Sequence, residues 1–347
     1  MDTTNGFYFI LNKNKNYKVY KLCKGINLRF FRRKKRENGY VGISTEKYGT
    51  KWFITKKGKA IFKTYENLGE KSHDFRIINE LLYCKLAKQI GVECAVYEPA
   101  TIGKNIGLVS YNVASEDEEL INGQKFNLFK FNFNKYSGYE ESIDYYKKQK
   151  AVINAQKMKR DIFKLMVLDA LVFQEDRHIN NVHFLHNKKT NEYKLAPIID
   201  NEFAFAGKTF SHFLNKQDMY LAGISLGAFM TIIDHNYRSI ITDVKMFSDG
   251  SFDRNIRNII AMAKKDPVKK SFLIKAINKI DIKKAIKEVE DIGYDISPDY
   301  KQYLIDLIDL SRTMFTDKMN TRYIKKQDEY SMWNLRRMYE IWNSWVW

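Results

Sequence analysis

The sequence predicts an α+β fold with two lobes, a small antiparallel β lobe that carries one helix and a larger, mainly helical lobe. Strand-like segments and glycine turns dominate residues 40–65 and 96–111, with one helical pattern between them. Residues 253–326 instead carry apolar side chains at helical spacing. We place the lobe boundary near Ala114, so that the 347-residue chain divides into lobes 1–114 and 115–347. With 44% hydrophobic residues, the chain can cover a sizeable core.

The start of the small lobe carries weaker signals. Residues 8–11 and 17–22 are candidate strands joined by an Asn/Lys turn. Residues 29–36 form the densest basic run of the chain. We favour a basic strand edge there, because a Lys-rich edge discourages pairing between chains. Binding to anionic lipid or nucleic acid is the alternative.

Residues 40–49 form a glycine-containing loop between two strand signals, and residues 52–54 and 60–65 continue as strands. Because glycine lets the backbone approach a bound group closely, the loop with Gly42 and Ser44 is a candidate cover for phosphate groups. The loop does not match G-x-G-x-x-G. Alone, such a loop is more often a plain hairpin turn.

A helix is predicted to open at Ser72 or Asp74 and to close at Gly91. Its apolar positions recur at helical spacing: Ile77, Ile78, Leu81, Leu82, Leu86 and Ile90. Glu80 lies in the middle of this helix.

Lys63 is the candidate for a lysine that contacts phosphates, because it shares a strand face with Ile61. A glutamate on a neighbouring helix can pair with such a strand lysine and hold it towards bound phosphates. We therefore predict an ion pair between Lys63 and Glu80. The alternatives are a solvated Glu80 and the competing lysines Lys51, Lys56 and Lys59.

Residues 96–100 and 106–111 give two more strands, which complete a predicted five-stranded antiparallel sheet. The segment that follows is the predicted hinge between the lobes. Its backbone groups at Tyr111, Asn112 and Val113 are candidates to receive an adenine ring. The acidic run at 116–119 marks the lobe boundary.

The most informative stretch is Asp-Arg-His-Ile-Asn-Asn at residues 176–181, followed by Pro-Ile-Ile-Asp at residues 197–200. Residues 161–175 are predicted to form a buried helix that ends where this motif begins. Residues 182–185 and 193–196 are predicted to form a short hairpin that returns Asp200 beside Asn181.

Phosphoryl transfer needs this set of side chains. A carboxylate orients the attacking hydroxyl, and hard oxygen ligands hold magnesium, which keeps several waters. Asp176 fits the first role, and Asn181 with Asp200 fits the second, with magnesium nucleotide as the implied cofactor. Arg177 is predicted to bind a phosphorylated residue or a carboxylate of the loop. The alternative is an ordinary helix-ending turn with Asp200 as a cap.

The Asp-Arg-His-x-x-Asn and Pro-Ile-Ile-Asp motifs resemble those of the HipA-like and CtkA-like bacterial Ser/Thr protein kinases. They also look like the catalytic and metal loops of phosphatidylinositol kinases. The resemblance to the CtkA-like group extends over about residues 42–326 and implies the bilobal protein-kinase-like fold, with ATP and Mg²⁺ between the lobes. It also implies a self-phosphorylated switch at Ser44 or Thr45. The sequence Asn-Glu-Phe-Ala-Phe at 201–205 departs from the Asp-Phe-Gly of typical protein kinases.

Charge, cysteine content and the first residues of the sequence indicate which partners and which cellular compartment to expect. The net charge of +18 implies attraction to acidic or phosphate-rich partners, although solvated lysine faces explain most such charge. No motif supports nucleic acid or an anionic membrane. The three cysteines show no paired spacing, and the first residues show no signal pattern, so we expect a cytoplasmic protein. A secreted effector without a signal peptide would look the same.

Two further segments have more than one interpretation. Aromatic residues at 126–133 alternate with Lys and Asn, which fits packing better than base stacking. Residues 332–347 are Trp-rich and amphipathic, as in a docked helix or, if exposed, a partner- or membrane-binding helix.

The leading hypothesis is an ATP- and Mg²⁺-dependent kinase that acts on Ser/Thr hydroxyls of a protein substrate and phosphorylates itself. One alternative is a lipid kinase that acts on phosphoinositides. Another is a non-catalytic pseudokinase or toxin subunit that binds an antitoxin-like protein or nucleic acid.

Overall fold

The structure, a computed structural model, describes residues 20–22, 26–27, 33–34, 52–55, 58–63, 75–102, 105–127, 136–149, 151–177, 179–207 and 252–320. Several predicted features lie outside these ranges. They are Gly42, Ser44 and Thr45 of the glycine loop, His178, the aromatic residues at 129–133 and the Trp-rich segment 332–347.

The described residues of the first part of the chain form seven strands and one helix. They are β1 (Tyr20–Leu22), β2 (Ile26–Asn27), β3 (Arg33–Lys34), β4 (Trp52–Thr55), β5 (Gly58–Lys63), α1 (Phe75–Ile90), β6 (Tyr97–Ile102) and β7 (Asn105–Tyr111). Six of the strands form one sheet in the order β2-β6-β7-β5-β4-β3.

The pairing in this sheet differs from the predicted one at its edge. Strands β3, β4, β5, β7 and β6 pair antiparallel, whereas β2 pairs parallel to β6. The predicted sheet of five antiparallel strands therefore lacked one strand. The sixth strand, β2, lies at an edge and runs parallel to its neighbour. A strand of two residues gives no periodic signal from which to predict it. The basic strand β3 lies at the sheet edge, as predicted.

Helix α1 is deeply buried, and its burial includes the polar side chains Asn79 and Glu80. Its apolar residues join one large core that also contains residues of the helical lobe. The helix ends as predicted at Gly91, whose φ of +76° is a conformation that suits glycine.

In the larger part of the chain, the described residues form twelve further helices and strands. They are β8 (Glu118–Asn122), α2 (Gly123–Asn127), α3 (Tyr136–Lys148), β9 (Val152–Ile153), α4 (Ala155–Leu171), β10 (His183–Asn187), β11 (Glu192–Leu195), α5 (Phe252–Lys265), α6 (Pro267–Lys279), α7 (Ile282–Asp291), β12 (Tyr294–Ile296) and α8 (Pro298–Asn320).

Helix α4 begins and ends earlier than predicted. Asn154 caps its start by accepting a hydrogen bond from the backbone of Lys157, so the helix opens at Ala155 rather than Asp161. It ends at Leu171, before Phe173 takes a positive φ of 49°. The motif residues therefore lie on a loop rather than directly on a helix end.

A second sheet carries the loops of the predicted site, in the order β8-β10-β11-β9. The predicted hairpin is confirmed, because β10 and β11 pair antiparallel with Phe184 opposite Leu195. Phe126 is buried and stacks on Phe184 and Tyr146, with ring centroids 3.9 and 4.5 Å apart. The packing interpretation of the aromatic run is thus confirmed at this residue.

One pairing joins distant parts of the chain. Strand β12 pairs antiparallel with β1, which places Tyr294 opposite Leu22. The Tyr294 hydroxyl also donates to the backbone oxygen of Gly107 in β7, at 3.3 Å. Among the described residues, no helix is both long and apolar enough to cross a membrane.

Candidate active site

Lys63, Glu80 and Asp200 meet in one buried cluster. Lys63 Nζ lies 2.5 Å from Glu80 Oε1 and 3.1 Å from Asp200 Oδ1. Lys63 and Glu80 are buried, while the Asp200 side chain is 22% exposed. The ion pair expected between strand β5 and helix α1 is therefore present, and it extends to the aspartate at the end of the Pro-Ile-Ile-Asp motif.

Glu80 connects the lysine to the segment after Asp200. Its second oxygen, Oε2, accepts a hydrogen bond of 2.6 Å from the backbone N–H of Asn201. One carboxylate thus holds both Lys63 and the backbone next to Asp200. The position of α1 decides where both groups lie.

The Asp200 carboxylate is held ionised by its surroundings. Burial alone would raise the pKa of Asp200, but Lys63, with smaller contributions from His183 and Arg177, holds it below its ordinary value. The residue has a φ of +64°, in a region that aspartate tolerates better than most residues. Backbone conformations of this kind are often concentrated at functional sites.

Asp176 and Asn181 are joined across the loop 176–181, the candidate catalytic loop. Asn181 Nδ2 donates to the backbone oxygen of Asp176 at 2.8 Å and to its Oδ2 at 3.1 Å. These two acceptors fix the orientation of the amide, so Oδ1 of Asn181 faces away from them. The backbone N–H of Asp176 donates to Oε1 of Gln174 at 3.1 Å, which holds the base of the loop.

Arg177 brings the two loops together. Its Nη1 donates to the backbone oxygens of Asn181 and Ile199, at 2.9 and 3.2 Å. Its Nη2 donates to Oδ1 of Asn201 at 2.5 Å. One guanidinium therefore holds the backbone of Asn181 and the two neighbours of Asp200.

The charge partner of Arg177 is Asp169 of helix α4, with Nε 3.0 Å from Oδ2. Burial alone would lower the pKa of Arg177, but the Asp169 carboxylate raises it, so the guanidinium stays charged. Arg177 is 1% exposed. The expectation that it binds a phosphorylated residue or a carboxylate of the loop was wrong, because its partner is an internal carboxylate on a helix.

Tyr83 completes this buried network. Its hydroxyl donates to Oδ1 of Asp169 at 2.7 Å and accepts from Nη2 of Arg177 at 3.3 Å. Burial and the Asp169 carboxylate raise the pKa of Tyr83 well above its usual range, so the phenol keeps the proton that it donates. Sequence analysis missed Asp169, Tyr83 and Asn201. A charged residue on the apolar face of α4 was the one available signal.

The hinge residues are only partly open to a ligand. The backbone N–H of Tyr111 donates to Val96, and that of Asn112 donates to Lys59. The Asn112 side chain binds both backbone groups of Ala114, at 2.8 and 3.2 Å. Within the described part of the chain, the Val113 amide donates no backbone hydrogen bond.

The predicted site residues therefore separate into two groups. The structure brings together Lys63, Glu80 and Asp200, and it joins Asp176 to Asn181. Arg177 links the two sets through the backbone. Gly42 and Ser44 lie outside the described residues.

The side chains fit a hard cation with few protein ligands. Asp200 offers a carboxylate and Asn181 an amide oxygen, and Mg²⁺ typically takes one or two such oxygens and keeps several waters. Among the described residues, no group of three or more His, Cys, Asp or Glu side chains forms a metal cage.

Comparison with solved structures matches the chain to the proinflammatory kinase CtkA of Helicobacter pylori. The TM-score is 0.63 at 15% sequence identity, over 86% of this chain and 98% of CtkA. The chain has the fold of the CtkA kinase. The predicted α+β, bilobal kinase-like fold and the resemblance to the CtkA-like group are thus confirmed at the level of fold. At this identity the likeness establishes the fold alone.

A second structure is HipA of the Shewanella oneidensis MR-1 toxin–antitoxin system, solved with HipB and operator DNA. It aligns with a TM-score of 0.40 and 13% identity over 77% of this chain and 61% of that chain, too weak a match to support an argument. No protein-family model matches the sequence, and no curated protein matches it.

Proposed function

We propose that this protein is an ATP- and Mg²⁺-dependent kinase that transfers a phosphoryl group to Ser/Thr hydroxyls of protein. The observation that carries the proposal is the cluster of Lys63, Glu80 and Asp200, built from strand, helix and loop. On a kinase-like fold, this is the arrangement that grips the phosphates of a nucleotide. The division into lobes at Ala114 is part of the proposal.

Each side chain has a role that follows from its contacts. Lys63 is directed by Glu80 and would contact the phosphates. Asp176, anchored by Asn181 and Gln174, would orient the hydroxyl nucleophile and take its proton. Asn181 Oδ1 and the Asp200 carboxylate would hold Mg²⁺, which when bound neutralises charge on the transferred group.

The charge of the cluster supports a cation at this place. One ammonium group, that of Lys63, faces the two carboxylates of Glu80 and Asp200. A divalent cation beside the partly exposed Asp200 would offset the one remaining negative charge and leave a net positive charge for the phosphates. The Val113 amide would donate to the adenine ring at the hinge.

Transfer of labelled phosphate from ATP tests the proposal. Wild type and Asp176→Ala are incubated with γ-labelled ATP and Mg²⁺, alone and with generic protein substrates. We expect label on the protein or its substrates, and a loss of about 10²–10⁴-fold in Asp176→Ala. Asp291→Ala removes an exposed aspartate at the end of α7 and should label as wild type does.

Equal labelling of wild type and Asp176→Ala, or none in either, would contradict the proposal. Phosphoinositide vesicles in a parallel reaction separate a lipid kinase from a protein kinase, because label then appears in the lipid fraction. Tryptic mapping of labelled protein shows whether Ser44 or Thr45 is modified. An antitoxin-like or acidic partner, nucleic acid, and an anionic membrane stay predictions from the sequence.

A further inference from the structure

Asn79 is a buried amide with three hydrogen bonds to distant parts of the chain. It is 0% exposed and lies next to Glu80 on helix α1. Its Nδ2 donates to the backbone oxygens of Glu202 and Ala204, at 3.1 and 2.8 Å. Its Oδ1 accepts 2.6 Å from the hydroxyl of Tyr300 in helix α8. Both N–H groups of the amide and one lone pair of its oxygen are therefore in use.

Asn79 and Glu80 hold the same loop from two sides. Glu80 binds the backbone N–H of Asn201, and Asn79 binds the backbone oxygens of Glu202 and Ala204. Two consecutive side chains of α1 thus fix three backbone groups just after Asp200. A rotation or shift of α1 would break these bonds and also move Glu80 away from Lys63.

Tyr300 determines which way the Asn79 amide faces. Its hydroxyl donates, so the amide oxygen points to Tyr300 and the NH₂ group to the two carbonyl groups. The neighbouring Tyr303 stacks on Tyr300 at 5.6 Å and donates to the backbone oxygen of Phe205 at 2.8 Å. The two tyrosines bind α1 and the loop that follows Asp200.

The loop held in this way has an unfavourable backbone conformation. Phe205 and Ala206 have positive φ values of 59° and 54°, which persist only where surrounding contacts impose them. Their N–H groups donate to Val172 and Phe173 at the start of the catalytic loop. Helix α8 is itself anchored on the large lobe, since Ser311 donates to the backbone oxygen of Ala170.

We propose that Asn79 and Tyr300 are positioning residues that keep Glu80 on Lys63, so that helix α8 sets the nucleotide affinity of the site. The effect on affinity rests on the proposed function. The effect on Lys63 does not, because Lys63 is buried and paired whether or not the protein is a kinase.

The test measures Lys63 directly. Tyr300→Phe removes one hydroxyl and keeps the ring. Lys63 acetylation by an amine-reactive ester is followed by peptide mass spectrometry, and binding of ATP with Mg²⁺ by calorimetry. Losing one hydrogen bond corresponds to about a fivefold change, so we expect Lys63 to react about fivefold faster and ATP to bind about fivefold more weakly.

Tyr146→Phe is the matched control. Tyr146 is a partly buried tyrosine that stacks on Phe126, and its hydroxyl makes no hydrogen bond to the described residues. Its loss should leave Lys63 acetylation and ATP binding unchanged. Asn79→Ala should give a larger change than Tyr300→Phe, and the double variant should add little to Asn79→Ala, because both side chains act through one contact. If Asn79→Ala does not fold, the Tyr300→Phe measurement decides.

The outcomes separate the two proposals. Folded Tyr300→Phe with unchanged Lys63 acetylation overturns the positioning role, even if its melting temperature falls. Faster acetylation in a protein that binds no ATP supports the positioning role and counts against the kinase. Faster acetylation together with weaker ATP binding supports both.

Discussion

At the scale of single residues, Lys63 has two carboxylate partners in the described part of the chain, and Asp200 is the one that reaches solvent. Its ionisation depends on that lysine, since Lys63 outweighs the effect of burial and lowers the Asp200 pKa. The folded protein therefore binds fewer protons at Asp200 than the unfolded chain does, in the interval below the ordinary aspartate pKa of about 3.9.

This difference predicts how stability changes with pH. The stabilisation from ionised Asp200 is complete above about pH 3.9 and is lost as the pH falls through the lower pKa of the folded state. We expect the free energy of unfolding to fall less steeply in Asp200→Asn than in wild type below about pH 4. Urea unfolding at several pH values measures both slopes.

The control for this experiment is Asp291→Asn, which changes an exposed aspartate. It should follow the wild-type slope. If Asp200→Asn also follows that slope, the ion pair with Lys63 does not set the Asp200 pKa.

At the scale of elements, the close packing of β7 on β5 places Lys63. A Cβ on Gly107 would lie 2.1 Å from the backbone oxygen of Lys63 and 2.7 Å from the ring of Phe62. Two strands must therefore separate to accept any side chain there. Lys63 is the last residue of β5, so a shift of that strand end moves the ammonium relative to Glu80.

Gly107→Ala should consequently lower both stability and nucleotide binding. Overpacking of this kind costs about 1–3 kcal/mol. We expect a lower urea midpoint and an ATP affinity reduced by about tenfold, measured on the same preparation.

Gly91→Ala is the comparison variant for this substitution. Gly91 has open space around its Cβ position but a φ of +76°, so alanine there costs about 1 kcal/mol through the backbone alone. It should lower stability and leave ATP affinity unchanged. Equal effects of the two variants on ATP binding would show that Gly107 does not act through Lys63.

At the scale of the whole molecule, the two lobes share one core, and the candidate ligands come from both. Lys63 and Glu80 lie before the hinge, whereas Asp176, Asn181 and Asp200 lie after it. A ligand bound to all of them binds the folded chain and not the unfolded one, so it stabilises the fold. At 100 times the dissociation constant the gain is about 2.7 kcal/mol.

Magnesium nucleotide should therefore raise the melting temperature, and EDTA should remove most of that rise. Thermal unfolding with ATP and Mg²⁺, with ATP and EDTA, and with Mg²⁺ alone separates these contributions. Asp200→Asn should reduce the rise caused by ATP with Mg²⁺. A rise that is the same with EDTA would indicate nucleotide binding without a metal at Asp200.

Much of this architecture follows from local sequence patterns. Three features depend on the spacing of apolar residues over short distances. They are the helix from Phe75 to Ile90, the hairpin after Asn181 and the side of strand β5 on which Lys63 lies. The pairing of Asp176 with Asn181 also follows from their spacing, because a hydrogen bond across five positions needs only one tight turn. These features could be predicted since their causes lie within a few residues of one another.

The boundaries and supports of the site could not be predicted in this way. Helix α4 ends two residues before Phe173, whose positive φ is not a conformation that phenylalanine favours by itself. Strand β12 forms because β1 is beside it, and three residues give no period of their own. Arg177 is internal because Asp169 is buried opposite it.

By itself, then, the sequence determined which side chains are candidates for the proposed phosphoryl transfer and on which kind of element each one lies. Only the tertiary structure decided what holds them: Glu80 between Lys63 and Asn201, and Asn79 on Tyr300, 221 positions away. The physical reason is that a hydrogen bond between distant segments depends on how helices and loops pack. That packing depends on the whole chain, so no periodic pattern in the sequence around Asn79 or Tyr300 indicates their hydrogen bond.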